Sequence, residues 1–155
     1  MSLIEDIIGE IIITGNIKIK MIKESSILYR NRRVNSPNDA YELVKEFLEG
    51  TDREQLIVCS LDTKNQPTTI NVVSIGTFNS SLVHPRELFK PVILSDAASI
   101  IVSHFNPSGD HSTSSEDINI TNRIKECGKL LGIDLLDHII IGDDRYISLK
   151  EKGVV

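Results

Sequence analysis

The chain has 155 residues, 40% of them hydrophobic and 25% charged, with a formal net charge of −5. That length supports one domain with its own core, and that composition is globular, not disordered. The acidic balance argues against a broad nucleic-acid-binding face, since the one basic cluster (Arg30, Arg32 and Arg33) is as short as a solvated edge.

The first stretch, Leu3 to Ile13, is rich in Ile but also carries Glu5, Asp6 and Glu10. It lacks a basic leader and is too short to cross a bilayer, so it reads as a short amphipathic helix or strand able to pack on a partner. Ile17 to Met21 alternates apolar and basic residues, the period of a half-exposed strand. Residues 1–35 are therefore set apart as an N-terminal extension, and residues 36–155 as the main domain. Ser36 to Glu49 is a helix, with Ser36 as cap, Pro37 in the first turn, an apolar stripe from Ala40 to Leu48, and Gly50 as stop. Gln55 to Leu61 and Thr68 to Ile75 are β-rich runs separated by turn residues, which predicts a hairpin. Pro85 to Leu94 predicts a second helix, with a kink or early stop at Pro91.

Ser99 to Ser103 contains Ile100, Ile101 and Val102, a run suited to a strand covered on both faces. A third helix starts at Ser114, with Ile120, Ile124, Cys127 and Leu131 as its apolar face and Gly132 just past its end. Leu135 to Ile141 and Tyr146 to Leu149 close the chain as strands. Strands mixed with three helices imply an α/β sandwich, a mixed sheet flanked by helices. Cys59 and Cys127 stand apart in apolar surroundings with no Cys-x-x-Cys pair. That excludes a zinc knuckle or dithiol motif and fits free thiols in a reducing compartment, so a cytoplasmic protein is expected.

The residues with the most chemistry follow the buried strand. His104 and Asn106 are followed by Ser114 and Asp117, eight and eleven positions beyond Asn106. A strand end and a helix start could thereby hold one cation, and imidazole with carboxylate suits zinc. The same residues have a structural reading. Ser114-x-x-Asp117 is a helix cap, Asn106-Pro107-Ser108-Gly109 has the composition of a tight turn, and a His after a strand serves as a loop hydrogen-bond partner.

Several blocks in one order carry a resemblance: Gly76 to Glu87, His104 to Asp110 with Ser114 and Asp117, Leu130 to Ile133, and Leu136 to Gly142. Together they resemble the RadC family of JAB/MPN-type domains, over Ser74 to Leu149 and more weakly back to Glu54. The resemblance implies a three-layer fold around a mixed sheet and a zinc-dependent peptidase or isopeptidase chemistry. It places His104, Asn106 and Asp117 at the metal-ligand positions, Ser114 as the residue that stabilises the carbonyl oxygen, and Glu54 as general base. Asn106 stands where the family pattern has His, and a carboxamide oxygen is a harder and weaker zinc donor than imidazole. His111 in the following loop could substitute or stay an exposed side chain; His84 and His138 receive no ligand role. Two functions remain open: a metallohydrolase with an altered ligand set, and a JAB-fold binding module without tight metal binding. A DNA-repair role, suggested by the family name alone, ranks below both, and a peptide or isopeptide is the expected substrate.

Overall fold

The computed structural model describes residues 33–76 and 83–155. The strand expected at Ile17 to Met21 and the apolar stretch Leu3 to Ile13 lie outside them. Eight elements follow in chain order: α1 (Pro37–Phe47), β1 (Gln55–Leu61), β2 (Pro67–Ile75), α2 (Pro85–Leu94), β3 (Ser99–Phe105), α3 (Ser115–Leu131), β4 (Asp134–Ile141) and β5 (Tyr146–Ser148). The sheet order is β2-β1-β3-β4-β5. β1 is antiparallel to both β2 and β3, β3 and β4 are parallel, and β5 returns antiparallel to β4. A parallel pair needs a crossover, which α3 supplies.

The two faces of the sheet collect separate apolar layers. On one, Ala40, Tyr41, Leu43 and Val44 of α1 pack over Ile57, Cys59, Leu61, Ile101, Ile139 and Ile141. On the other, Leu88, Phe89 and Val92 of α2 and Ile120 and Ile124 of α3 cover Leu56, Val58, Ile100 and Val102. The expected α/β sandwich is thus a three-layer arrangement, α1 on one side and α2 with α3 on the other. Cover on both sides explains why β1 and β3 are buried almost continuously instead of in alternation.

α1 begins as expected, with Ser36 Oγ accepting from the Asp39 amide at 3.1 Å and Pro37 in the first turn. α2 spans Pro85 to Leu94 as expected, and Pro91 does not stop it early. Pro91 removes one backbone donor, but Leu88, Phe89 and Val92, all buried, anchor the helix on both sides of it. α3 ends at Gly132 with φ 74°, a left-handed cap suited to glycine. One turn earlier, a Cβ at Gly128 would lie 2.3 Å from the Ile133 carbonyl oxygen, so only glycine lets the chain fold back so tightly into β4.

Candidate functional site

The site forms where the C-terminal end of β3 meets the N-terminal end of α3. β3 is registered so that His104 pairs with Ile140 of β4 and Val102 pairs with His138. His138 is wholly buried beside α3, because its Nδ1 lies 2.6 Å from Thr121 Oγ1 on that helix. His104 also faces α3, at Asp117.

Asp117 is fixed by a reciprocal cap. Its amide donates to Ser114 Oγ at 3.1 Å, while its Oδ2 accepts from the Ser114 amide at 3.1 Å and from Ser114 Oγ–H at 2.7 Å. The structural reading of Ser-x-x-Asp therefore holds, and it does not compete with a functional one. The cap uses Oδ2 and leaves Oδ1 to face His104 Nδ1 at 2.7 Å. On the other side of the ring, His104 Nε2 lies 2.6 Å from Oε2 of Glu54, which stands just before β1. One imidazole is thus clasped by two carboxylates, 50 and 13 residues away in sequence.

Burial pulls the His104 pKa down, but hydrogen bonds and charge from Asp117 and then Glu54 outweigh it and hold the ring above its usual range. Burial likewise raises Asp117, yet His104 and then Ser114 win and hold its carboxyl low. When protonated, His104 donates from both nitrogens and bridges the two carboxylates.

His138, given no role from sequence, borders this bridge. Its Nε2 is 3.8 Å from Asp117 Oδ1 and, among the described residues, has no hydrogen-bond partner. Burial lowers its pKa to about 4, with Asp117 opposing and His104 adding to the shift, so the ring is neutral. Thr121 Oγ–H donates to the Asp117 carbonyl at 2.6 Å. A hydroxyl has one proton, so toward His138 Nδ1 the oxygen must accept, and Nδ1 carries the ring proton. Nε2 is therefore a bare lone pair, and an unsatisfied buried polar atom of this kind costs about 1–3 kcal/mol. A His inside the apolar run Leu135 to Ile141 and a Thr four residues after Asp117 were the sequence signals for this pair.

The remaining candidates lie in the connecting loop. Asn106 continues the strand, its amide donating to the Ile141 carbonyl at 2.9 Å. Its side-chain oxygen accepts from Ser108 N–H at 3.2 Å and Ser108 Oγ–H at 2.8 Å, closing the expected turn. Gly142 presses on this loop, since a Cβ there would stand 2.5 Å from the Gly109 oxygen and 2.9 Å from His111 Cβ. His111 interacts with the charge of Asp110, and exposed His84 caps α2 by position without a side-chain hydrogen bond.

Zinc chemistry sets a test for these donors. Among the described residues, no group of three or more His, Cys, Asp or Glu side chains is spaced ready for a metal ion. His104 is already closed on both carboxylates, and the Asn106 oxygen is committed to Ser108. The set His104, Asn106 and Asp117 is thus not open as it stands. The chemistry at its edge does fit a cation, because the buried His138 lone pair faces the Asp117 carboxylate.

Comparison with known proteins adds to this geometry. The family described as the RadC-like JAB domain matches residues 34–154. A UPF0758 protein of Clostridium botulinum strain Okra is 55% identical over 123 residues, covering 79% of this chain and 54% of that protein. A UPF0758 protein of Methanosarcina mazei is 52% identical over 124 residues, 80% of this chain and 54% of the relative. This chain spans about half the length of these curated relatives.

Proposed function

The chain belongs to the RadC-like JAB domain family, and on that footing we propose that it is a metal-assisted hydrolase of amide bonds, acting on a peptide or isopeptide. The observation that carries this reading is the convergence of Glu54 and Asp117 on His104, at 2.6 and 2.7 Å. Distant residues are brought into hydrogen-bond contact at a strand end, which supports a shared role for them.

Zinc, when bound by His104 and Asp117, would supply Lewis-acid polarisation and bring the pKa of water at the site toward neutrality. The protein's own part is proton handling and positioning. Glu54 is half-buried at the rim and takes the proton of the attacking water, later returning it to the leaving amine. The Ser114 hydroxyl now donates to Asp117. Rotated from that bond, it donates to the developing oxyanion while the Asp117 amide keeps the helix start in place.

The Asn106–Ser108 turn favours a second reading, a binding module that keeps the fold and has lost tight metal binding. Zinc content of the purified protein, with cleavage of peptide and Lys-linked isopeptide substrates, separates the two. The hydrolase reading expects about one zinc per chain and a loss of roughly 10²–10⁴-fold in rate for Glu54→Gln. Zinc and cleavage found only in Asn106→His would reject it for the natural sequence and support the binding module.

A further inference from the structure

We infer that His138 is a metal ligand, supplying through Nε2 the third protein donor that Asn106 does not offer. This rests on the metal-dependent reading proposed above and names the donor set of that site: His104, Asp117 and His138.

Three observations carry it. The hydrogen-bond order Asp117 C=O, Thr121 Oγ–H and His138 Nδ1–H fixes the tautomer and leaves Nε2 as a lone pair. A ligating histidine typically donates its other ring N–H to a fixed acceptor, and here Thr121 is that acceptor. His138 is fully buried, and its Nε2 faces Asp117 Oδ1 at 3.8 Å with no hydrogen-bond partner among the described residues. Two electron-pair donors that face each other out of water are reconciled by a cation they share. Finally, Asn106 is turned into its own loop by Ser108.

The spacing is within reach. Asp117 Oδ1 stands 2.7 Å from His104 Nδ1 and 3.8 Å from His138 Nε2. Donors on a tetrahedral zinc are about 3.3 Å apart, given metal–ligand distances of about 2.0–2.1 Å. One separation must open and the other close, each by roughly half an ångström. The histidines sit on the paired strands β3 and β4, and the ion would replace the proton between His104 Nδ1 and Asp117 Oδ1, which is released on binding.

The test uses the full chain, stripped of metal and titrated with zinc against a chromophoric chelator and with cobalt(II) by visible absorption. The wild type is expected to bind one ion, with the absorption band of a tetrahedral cobalt site. Asn106→Ala stays within about twofold of it. His138→Gln weakens binding at least tenfold, and Thr121→Val does so by roughly 10–100-fold as the ligand's orienting partner. Because His138 is buried and its variant could fail to fold, side-chain nitrogen NMR of the wild type gives an independent readout. Its Nδ1 is expected to be protonated without metal, and its Nε2 resonance to move when zinc is added. Metal binding with His138 Nε2 unmoved, or retained in His138→Gln and lost in Asn106→Ala, overturns the ligand assignment and leaves the metal-dependent reading standing. A wild type that binds neither ion overturns both.

Discussion

Acid should destabilise the metal-free fold through His138 in a defined pH window. Burial first, with a contribution from His104 and against Asp117, lowers this imidazole from 6.5 to about 4. Between those values the unfolded chain takes up a proton that the folded chain refuses, so stability rises with pH across the window and falls as acid is added. Full traverse of the shift corresponds to about 3 kcal/mol, with a slope no steeper than about 1.4 kcal/mol per pH unit. His104 and Asp117 act mainly outside that window. His104 is held above its ordinary value, so its contribution is complete below pH 6.5 and is lost as pH rises through its folded pKa. Asp117 is held low, so its contribution survives until pH drops below its ordinary 3.8. Asp137 runs opposite. Burial raises its pKa against hydrogen bonds from Ser148, Lys150 and His138, so its contribution declines as pH rises from 3.8 through its folded value. On the acid side His138 and Asp137 therefore oppose each other, and the His138 part is isolated by comparison with a variant that lacks it. Urea unfolding in chelator-containing buffer, at half-unit steps from pH 4 to 8, would compare wild type with His138→Gln. The variant's acid limb should be flatter; superimposable limbs for the two proteins would refute the assignment of this shift to His138.

Other substitutions test other parts of the structure. Ser114→Ala deletes both the amide cap and the hydroxyl donated to Asp117, and should lower stability by about 1–2 kcal/mol; an unchanged urea midpoint would contradict that. Gly142→Ala would put a Cβ 2.5 Å from the Gly109 oxygen. A cost of about 1–3 kcal/mol is expected, with amide shifts concentrated in residues 106–111 and little change in β1. Cys59 is buried, and burial pushes its thiol up to about 12. A disulfide reagent should therefore leave Cys59 unmodified in the native state and react with it after unfolding. Two equally fast thiols in the native protein would contradict this.

Much of the fold was legible because its signals are local. Ser36 with Pro37, Ser114 with Asp117, and Gly132 mark helix ends by chemistry that acts within one turn, and the apolar run Ile100 to Val102 announced a strand covered twice. The early stop that Pro91 suggested as one alternative did not occur, because local propensity omits the contacts of Leu88, Phe89 and Val92 that hold the helix on both sides. At the site, the resemblance brought Glu54, His104, Ser114 and Asp117 onto one list, and the structure places them in one hydrogen-bonded group. His138 was passed over because its importance is a matter of register. Only the parallel pairing of β3 and β4, with α3 laid across them, reveals that a histidine 34 positions after His104 borders the same carboxylate. The Asn106 side chain illustrates the converse, since the turn composition foretold its use by Ser108 better than the ligand pattern did.

The reciprocal cap at the start of α3 also bears on how such a domain can change over time. Ser114 secures the Asp117 carboxylate through Oδ2 and the Asp117 amide through its hydroxyl oxygen, and the strand register secures the two histidines, so the buried polar group does not lean on the side chains of the 106–113 loop for its shape. Sequence in that loop can drift, exchanging even a position as prominent as Asn106, while the fold and its inner carboxylate–imidazole pairing persist. Descendants of one scaffold can then differ in cation affinity or substrate without passing through an unfolded ancestor.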